Sequence, residues 1–145
     1  MKRTIIITIC LGFLLVNLGA CSKKGEAPAG AGSAEANKGI GPISSVTLEP
    51  LDAQKAAQGE AAFKTKCSAC HKIGERYVGP DLKGVTLRRQ PEWIMNMILN
   101  PTEMLQKDPV AQELLATYLV QMTFQNVTPE EARSILEFFR KNDAQ

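Results

Sequence analysis

The sequence of 145 residues has a single histidine, His71, and no cysteine after Cys70. A structural zinc site normally needs four protein ligands, with a second Cys or His pair further along the chain, so these absences argue against one. No segment alternates apolar and polar residues as a half-buried strand does, and no internal repeat is visible. The lack of strand-like alternation favours an all-α protein.

The chain also has little net charge. It contains 17 basic and 15 acidic residues, and removal of Lys2 and Arg3 with a leader would leave the two signs equal. Net charge therefore predicts no nucleic-acid partner. The distribution is uneven, because residues 60–89 are mainly basic and the chain from Glu92 onward is mainly acidic. The basic half is either a solvated surface or a docking patch for acidic partners.

The N-terminus has the organisation of an export signal. Two basic residues precede an apolar run over residues 5–16, which is too short to span a bilayer with ease. The run leads to Leu18-Gly19-Ala20-Cys21, which resembles the lipobox of bacterial lipoproteins, whose cysteine is diacylated and becomes the first residue of the mature chain. An ordinary signal peptide or an uncleaved anchor is the alternative.

These features predict that residues 1–20 are a cleaved lipoprotein signal peptide and that Cys21 is lipidated. Two acyl chains suffice for stable anchoring in a membrane. We therefore expect an exported bacterial lipoprotein on the periplasmic side of a membrane, or on the outer face of the cell membrane where there is no outer membrane.

Residues 22–50 are rich in Ala, Gly, Ser, Pro and Lys and contain almost no large apolar side chain. Such a segment cannot bury enough surface to offset the cost of ordering itself. We therefore predict a lipidated flexible tether over residues 21–50 and a folded domain over residues 51–145. Ile43, Val46 and Leu48 could instead dock on the domain as an extended segment, and the tether would then end before Pro50.

Four helical segments are predicted within residues 51–145. Each has an apolar stripe or a recognisable N-terminal signal, such as a capping aspartate, a proline in the first turn, or a capping box. Their predicted starts are Asp52, Pro91, Asp108 and Thr128. The second must stop at Asn100-Pro101.

The segment Cys67-Ser68-Ala69-Cys70-His71 has the spacing of an attachment site for one covalent haem c. Each thiol can add across a haem vinyl group to form a thioether, and the adjacent imidazole becomes an axial ligand of the iron. A thioredoxin-like pair would follow a strand, whereas the preceding residues are typical of a helix. A disulfide between the two cysteines would leave the histidine without a role.

With this motif near the start of a small helical domain and an amphipathic helix at its end, the chain resembles class I, monohaem cytochrome c. The resemblance covers residues 51–145 and implies a small all-α fold whose helices wrap around one covalently bound haem. Phe63 matches the aromatic that packs against the terminal helix, through Phe138 or Phe139. Pro80 matches the proximal loop, which implies that its carbonyl accepts a hydrogen bond from the free ring nitrogen of His71.

The resemblance also implies a distal methionine ligand from the loop before the last helix. Met122 matches that position, although it is followed by Thr123 where the family commonly has proline. Three other methionines are rivals: two in the second helical segment and one on a predicted loop, namely Met95, Met97 and Met104. The predicted iron ligands are therefore His71 and Met122.

With both axial positions filled, no small-molecule substrate can reach the iron, so the expected function is one-electron transfer and no catalytic residue is predicted. The expected partners are redox proteins with acidic docking surfaces. The candidate basic residues that would meet them are Lys64, Lys66, Lys72, Arg76 and Lys83.

The stretch from Arg88 to Lys141 resembles small membrane-tethered cytochromes that deliver electrons to terminal reductases or oxidases, nitrous oxide reductase among them. Two alternatives belong to other functional classes. The first is a haem subunit of a larger membrane complex, and the second is a haem enzyme or gas sensor with a labile sixth ligand.

Overall fold

A computed structural model describes residues 37–145. Within that range the chain forms six helices and no strand, which confirms the all-α prediction. The helices are α1 (Ala53–Lys66), α2 (Val85–Arg88), α3 (Pro91–Leu99), α4 (Pro101–Lys107), α5 (Pro109–Tyr118) and α6 (Pro129–Asp143). None of the helices described is long and apolar enough to cross a membrane. The predicted signal peptide, Cys21 and residues 22–36 lie outside the described residues.

The helix starts follow local sequence signals. The Asp52 carboxylate accepts hydrogen bonds from the backbone N–H groups of Gln54 and Lys55, both at 2.9 Å. Helices α3 to α6 each begin at a proline, which lacks the N–H group that a first-turn residue could not bond within the helix anyway. Thr128 and Glu131 form the reciprocal capping box at the start of α6.

One predicted loop is a helix. Met104 was expected on a loop after Asn100-Pro101, but it lies in α4 and is fully buried. The proline ends α3 and at the same time opens α4, with Asn100 flanking both helices. A proline marks the boundary of a helix without saying whether a loop or another helix comes next.

The most extensive helix contact joins α1 to α6. Gly59 lies against the backbone of α6, where an added Cβ would come within 1.8 Å of the carbonyl oxygen of Ser134. One turn further along α1, the ring of Phe63 lies 5.3 Å from that of Phe138 and 5.8 Å from that of Phe139. These spacings suit favourable aromatic pairs. The contact positions the C-terminal end of α1.

Residues 37–50 pack on the domain as an extended strap, so the folded unit begins before the predicted boundary at Leu51. The Asn96 side chain accepts a hydrogen bond from the N–H group of Ile43 and donates to the carbonyl oxygens of Lys38 and Ile43, each at 2.9 Å. Ile40, Ile43 and Val46 pack against the core. The strap is ordered because buried polar side chains satisfy its backbone, which composition alone does not reveal.

The C-terminal end of the strap is held by two arginines of α6. The buried carboxylate of Glu137 pairs with both Arg133 and Arg140. The same guanidinium groups donate to the strap, from Arg133 to the carbonyl oxygen of Thr47 at 3.4 Å and from Arg140 to that of Glu49 at 3.0 Å. A buried charge is tolerated here because it is paired and hydrogen-bonded.

The contact between α1 and α6 predicts the effect of Gly59→Ala. Helix propensity alone would make alanine more stable by about 1 kcal/mol. The methyl group would instead collide with the backbone of α6, so we expect a loss of about 2 kcal/mol or more in the free energy of unfolding. Denaturant titration measures this change.

Gln58→Ala is the matched control, because Gln58 is exposed on the same helix. We expect its free energy of unfolding to stay within about 0.5 kcal/mol of the native value. A Gly59→Ala variant as stable as the native protein, or more stable, would contradict the packing described.

Candidate cofactor site

The motif of residues 67–71 forms a tight turn directly off the end of α1. The backbone N–H groups of Cys67 and Ser68 donate to the carbonyl oxygen of Phe63, at 2.9 and 3.0 Å. Those of Cys70 and His71 both donate to the carbonyl oxygen of Cys67 at 3.0 Å. The two thiols are not joined in a disulfide. This turn brings both cysteines and the histidine to the wall of a single cavity.

The cavity has a volume of about 250 Å³ and a mainly apolar lining. Helices α1, α3, α5 and α6 all contribute to its walls, together with the loop after α5. The large side chains that line it include Phe63, Trp93, Ile94, Met97, Ile98, Leu114, Leu115, Tyr118, Ile135 and Phe139. An apolar cleft with a few polar groups on one wall is suited to a largely apolar cofactor.

His71 is half-buried on this wall, and its ring is held from two sides. Its Nδ1 atom lies 3.3 Å from the carbonyl oxygen of Pro80. When Nδ1 carries the proton it donates to that oxygen, and Nε2 is left as the metal-binding atom. The ring also lies against Gly79, where an added Cβ would come within 2.5 Å of Cε1.

The protonation state of the histidine suits a metal ligand. Burial lowers the pKa of His71 below its ordinary value, and the hydrogen bond with Pro80 offsets this only in part. The imidazole is therefore neutral at pH 7, which is the form that binds metals. Burial also raises the pKa of the Cys67 thiol to about 11. A thioether has no proton to lose and fits the same apolar surroundings.

The loop that carries Pro80 is held by its neighbours. The Asp81 carboxylate accepts hydrogen bonds from the backbone N–H groups of Gly74 at 2.6 Å and Lys83 at 2.8 Å. These backbone bonds, that of Lys83 first, lower the pKa of Asp81. Arg88 donates to the carbonyl oxygens of Lys83 and Asp81. The oxygen facing the imidazole therefore belongs to a braced turn.

Two of the four candidate methionine ligands line the cavity, and two do not. Met122 is half-buried on the loop after α5 and lines the cavity, as does Met97 of α3. Met104 is 0% exposed and does not line it, and its sulfur accepts a hydrogen bond from the N–H group of Ile40 at 2.9 Å. Met95 is buried elsewhere in the core. Of the three rivals to Met122, only Met97 shares its cavity.

No cluster of three or more His, Cys, Asp or Glu side chains that could hold a metal occurs in residues 37–145. Around the cavity, the chain offers one imidazole, the thioethers of Met97 and Met122, and the carboxylate of Asp81, which already accepts hydrogen bonds from the backbone. A metal there would need its other ligands from a cofactor. Two thiols, one imidazole and an apolar cleft fit a covalently attached haem, whose ring supplies the four remaining nitrogen ligands.

The five basic docking candidates differ in their surroundings. Lys64 pairs with Glu60 at 2.6 Å, and Lys66 pairs with Glu131 at 2.7 Å. Lys72 lies over the ring of Tyr77, while Lys83 is exposed. Arg76 lies over the ring of Tyr118. Its guanidinium carbon is 4.5 Å from the ring centroid.

Several residues at the site were not predicted from the sequence. Arg88 and Arg89 line the cavity although they were not among the docking candidates. The fold alone also revealed that Arg76 lies over the ring of Tyr118 and that Lys66 donates one hydrogen bond to Asn126, at the end of the loop after α5. No short-range signal marks such contacts, because their partners are tens of residues apart.

Comparison with known proteins places the chain among haem proteins. The profile of the cytochrome c family matches residues 56–143. The cytochrome c from Rhodothermus marinus is 45% identical, with 72% of this chain and 90% of that chain covered and a TM-score of 0.71. An engineered form of it, bound to a carbene intermediate, is 43% identical over 72% of this chain and 92% of that chain, with a TM-score of 0.68.

A more distant structure is also similar. The cytochrome c domain of the pp3183 protein from Pseudomonas putida is 32% identical, with 60% of this chain and 89% of that chain covered and a TM-score of 0.56. No curated protein matches the chain significantly.

The contact between Gly79 and the imidazole predicts the effect of Gly79→Ala. The added methyl group would push on the ring of His71, so we expect a weaker axial bond and a smaller fraction of low-spin protein. Absorption and magnetic circular dichroism spectra of the matured protein measure that fraction.

Gly74→Ala is the control for this test, since Gly74 has φ +91° and an added Cβ would meet nothing within 4 Å. It should strain the backbone, at a cost of roughly 1–2 kcal/mol in stability, yet leave the low-spin spectrum unchanged. Identical spectra for the Gly79 variant and the native protein would contradict the described contact.

Proposed function

The chain belongs to the cytochrome c family, whose members carry electrons through covalent haem c, and on that premise we propose a specific set of haem-binding residues. The family match also confirms the resemblance to class I, monohaem cytochrome c. In the proposed site, Cys67 and Cys70 hold the haem by thioether bonds, His71 is the proximal ligand and Met122 the distal one. The observation that carries the proposal is that all four side chains line one apolar cavity.

Bound haem would supply the one-electron couple, and the chain would set the properties of that couple. The Pro80 carbonyl orients the imidazole of His71 and increases its basicity. A thioether ligand from Met122 favours the ferrous state and raises the reduction potential relative to two nitrogen ligands. The apolar walls exclude water, which disfavours the additional charge of the ferric state.

We propose that the protein exchanges electrons with redox proteins that present acidic surfaces. Lys72, Arg76 and Lys83 are better candidates for this surface than Lys64 and Lys66, whose charges are paired with carboxylates of the chain itself. Charge steering of this kind speeds association and is screened by salt. The electron-transfer rate should therefore fall as ionic strength rises, and a rate that is independent of salt would argue against a basic docking surface.

The proposed acceptor is a membrane-associated terminal reductase or oxidase, with nitrous oxide reductase as one possibility drawn from the sequence resemblance. Lipidation of Cys21 would keep the protein near that acceptor. Because residues 37–50 pack on the domain, at most residues 22–36 of the predicted tether are left to act as a linker. A flexible linker of that length has an r.m.s. span of about 20 Å. Midpoint potentials and electron-transfer rates with purified reductases would test the acceptor.

The axial-ligand assignment predicts the outcome of Met122→Ala. Loss of the thioether should lower the midpoint potential by on the order of 100 mV, within the ~0.8 V range that axial ligands span. It should also abolish the methionine–iron absorption band and let added imidazole bind the ferric protein. Potentiometry and imidazole titration measure these changes.

Met97→Ala is the matched control, because Met97 lines the same cavity from α3. Its removal should cost about 2–5 kcal/mol of stability but leave the absorption band in place. If the band persisted in the Met122 variant and vanished in the Met97 variant, the distal ligand would be Met97.

A second candidate function is a haem protein whose sixth position opens to small molecules. The observation in its favour is the exposure of the loop around Met122, with Leu119 82% and Phe124 48% exposed. The engineered relative with a carbene intermediate shows that a related haem pocket can admit a small ligand. If this function applied, the native ferric protein would bind imidazole as fast as the Met122→Ala variant.

The membrane tether predicts the outcome of Cys21→Ala. Without the acylated cysteine, an otherwise intact cytochrome should appear in the soluble periplasmic fraction instead of the membrane fraction. Cell fractionation and mass spectrometry of the mature N-terminus measure this. Retention in the membrane would point to an uncleaved leader or to a protein partner as the anchor, and so to the haem subunit of a larger complex.

A further inference from the structure

The loop that carries Met122, residues 119–126 and called the distal loop below, has little to hold it in place internally. Leu119, Val120 and Phe124 are 82%, 50% and 48% exposed. Within the loop, the Gln125 side chain donates to the carbonyl and hydroxyl oxygens of Thr123, at 3.1 and 2.9 Å. Contacts from outside the loop must therefore help to position the methionine.

Both ends of the distal loop have an unusual backbone. Leu119 has φ 57° and Asn126 has φ 53°, and they are the only non-glycine residues with positive φ in the described part of the chain. Residues with side chains adopt this left-handed conformation at a cost, and they persist in it where the surroundings hold them. The two ends are therefore the positions where external support matters most.

One external contact comes from Lys66, the last residue of α1. Its ammonium group donates to the carbonyl oxygen of Asn126 at 3.0 Å and to both carboxylate oxygens of Glu131 at 2.9 and 2.7 Å. The Lys66 side chain is only 28% exposed, and its hydrogen bond to Glu131 lowers the pKa of that carboxyl group. Lys66 directly precedes Cys67 and thus joins the haem-binding motif to the end of the loop.

The other external contact comes from Arg76, five residues after His71. Its guanidinium carbon lies 4.5 Å from the ring centroid of Tyr118, within the range of a cation–π interaction. Tyr118 is the last residue of α5 and immediately precedes Leu119. Arg76 thus supports the start of the loop from the segment on the proximal side.

We propose that Lys66 and Arg76 are positioning residues that determine how long Met122 stays bound to the iron. Lys66 ties the last residue of the distal loop, and Arg76 the residue just before the loop, to the segment around Cys67, Cys70 and His71. The two axial ligands are thereby held as one unit. The proposal rests on the assignment of Met122 as the distal ligand. Its specific content is that loss of either contact speeds release of the methionine without unfolding the domain.

Two neighbouring lysines provide matched controls. Lys64 lies on the same helix as Lys66 but pairs with Glu60, one turn earlier in α1, at 2.6 Å. Lys72 lies in the same segment as Arg76 but contacts the ring of Tyr77 within that segment, at 5.0 Å from the centroid. Removing either one takes away a positive charge near the haem motif without removing a contact to the distal loop.

The experiment uses the full-length matured protein and imidazole as the probe, because imidazole binds ferric iron only after Met122 leaves. Stopped-flow absorption gives the limiting rate of binding at saturating imidazole. We expect Lys66→Ala and Arg76→Ala each to raise this rate about threefold to tenfold, the range for one ion pair or cation–π contact. Lys64→Ala and Lys72→Ala should stay within about twofold of the native rate.

Conservative variants separate positioning from general damage. Lys66→Arg keeps the charge and the donors, and Tyr118→Phe keeps the ring face, so both should bind imidazole within about twofold of the native rate. Global stability is measured in parallel by denaturant unfolding. Faster imidazole binding that simply followed a lower free energy of unfolding across all variants would overturn the proposal, because the contacts would then stabilise the whole domain.

Two further results would also overturn it. Native rates in both the Lys66→Ala and Arg76→Ala variants would show that the contacts do not hold the methionine. Equal acceleration in the Lys64→Ala and Lys72→Ala controls would show an effect of charge alone. Met122→Ala, measured alongside, identifies failure of the premise: unchanged imidazole binding in that variant would remove Met122 as the ligand, and both proposals would fall together.

Discussion

The close approach of α1 and α6 is the contact on which the geometry of the site depends. Gly59 lets the two helices meet at the backbone of Ser134, and the ring of Phe63 packs against those of Phe138 and Phe139. The turn bearing Cys67 follows α1 directly, so any tilt of that helix would move both cysteines relative to the opposite wall of the cavity. The terminal helix, which begins at Pro129, therefore positions a motif that ends at His71.

Most of the buried polar side chains hold the N-terminal strap and do not form the cavity wall. Four of the buried polar side chains hold the strap of residues 37–50. Asn96 bonds to the backbone of Ile43, and Glu92 accepts from the N–H group of Val46 at 3.1 Å. Asp108 accepts from the side chain of Asn37 at 2.7 Å, and Glu137 acts through its two arginine partners. No buried side-chain nitrogen or oxygen within residues 37–145 lacks a hydrogen-bond partner. Polar burial is thus concentrated where it anchors an extended segment, and the cavity stays mainly apolar.

A mainly apolar cavity, with the buried polar groups placed at the strap, suits an electron carrier. The mainly apolar wall leaves one imidazole and the thioethers of Met97 and Met122 as the principal donors around the cavity, which suits a cofactor that brings ligands of its own. The basic side chains next to the haem-binding motif make different contacts. Lys64 is paired within its helix, whereas Lys66 reaches the end of the distal loop. The fold thus divides a mainly basic stretch of the sequence into side chains that make structural contacts and side chains whose charge is exposed.

The sequence by itself determined what depends on neighbours within a few residues: the Cys-x-x-Cys-His spacing, the capping of α1 and α6, and the position of Met122 between two helices. Only the tertiary structure decided that Met104 is in the core, that the strap is bound, that Lys66 reaches the distal loop and that Arg76 reaches Tyr118 just before it. The physical reason is that spacing and capping are set by local backbone geometry, whereas a bound strap or a long side chain finds its partner across the fold. Asn96 and Ile43, for example, are 53 residues apart, and no local pattern records that they meet.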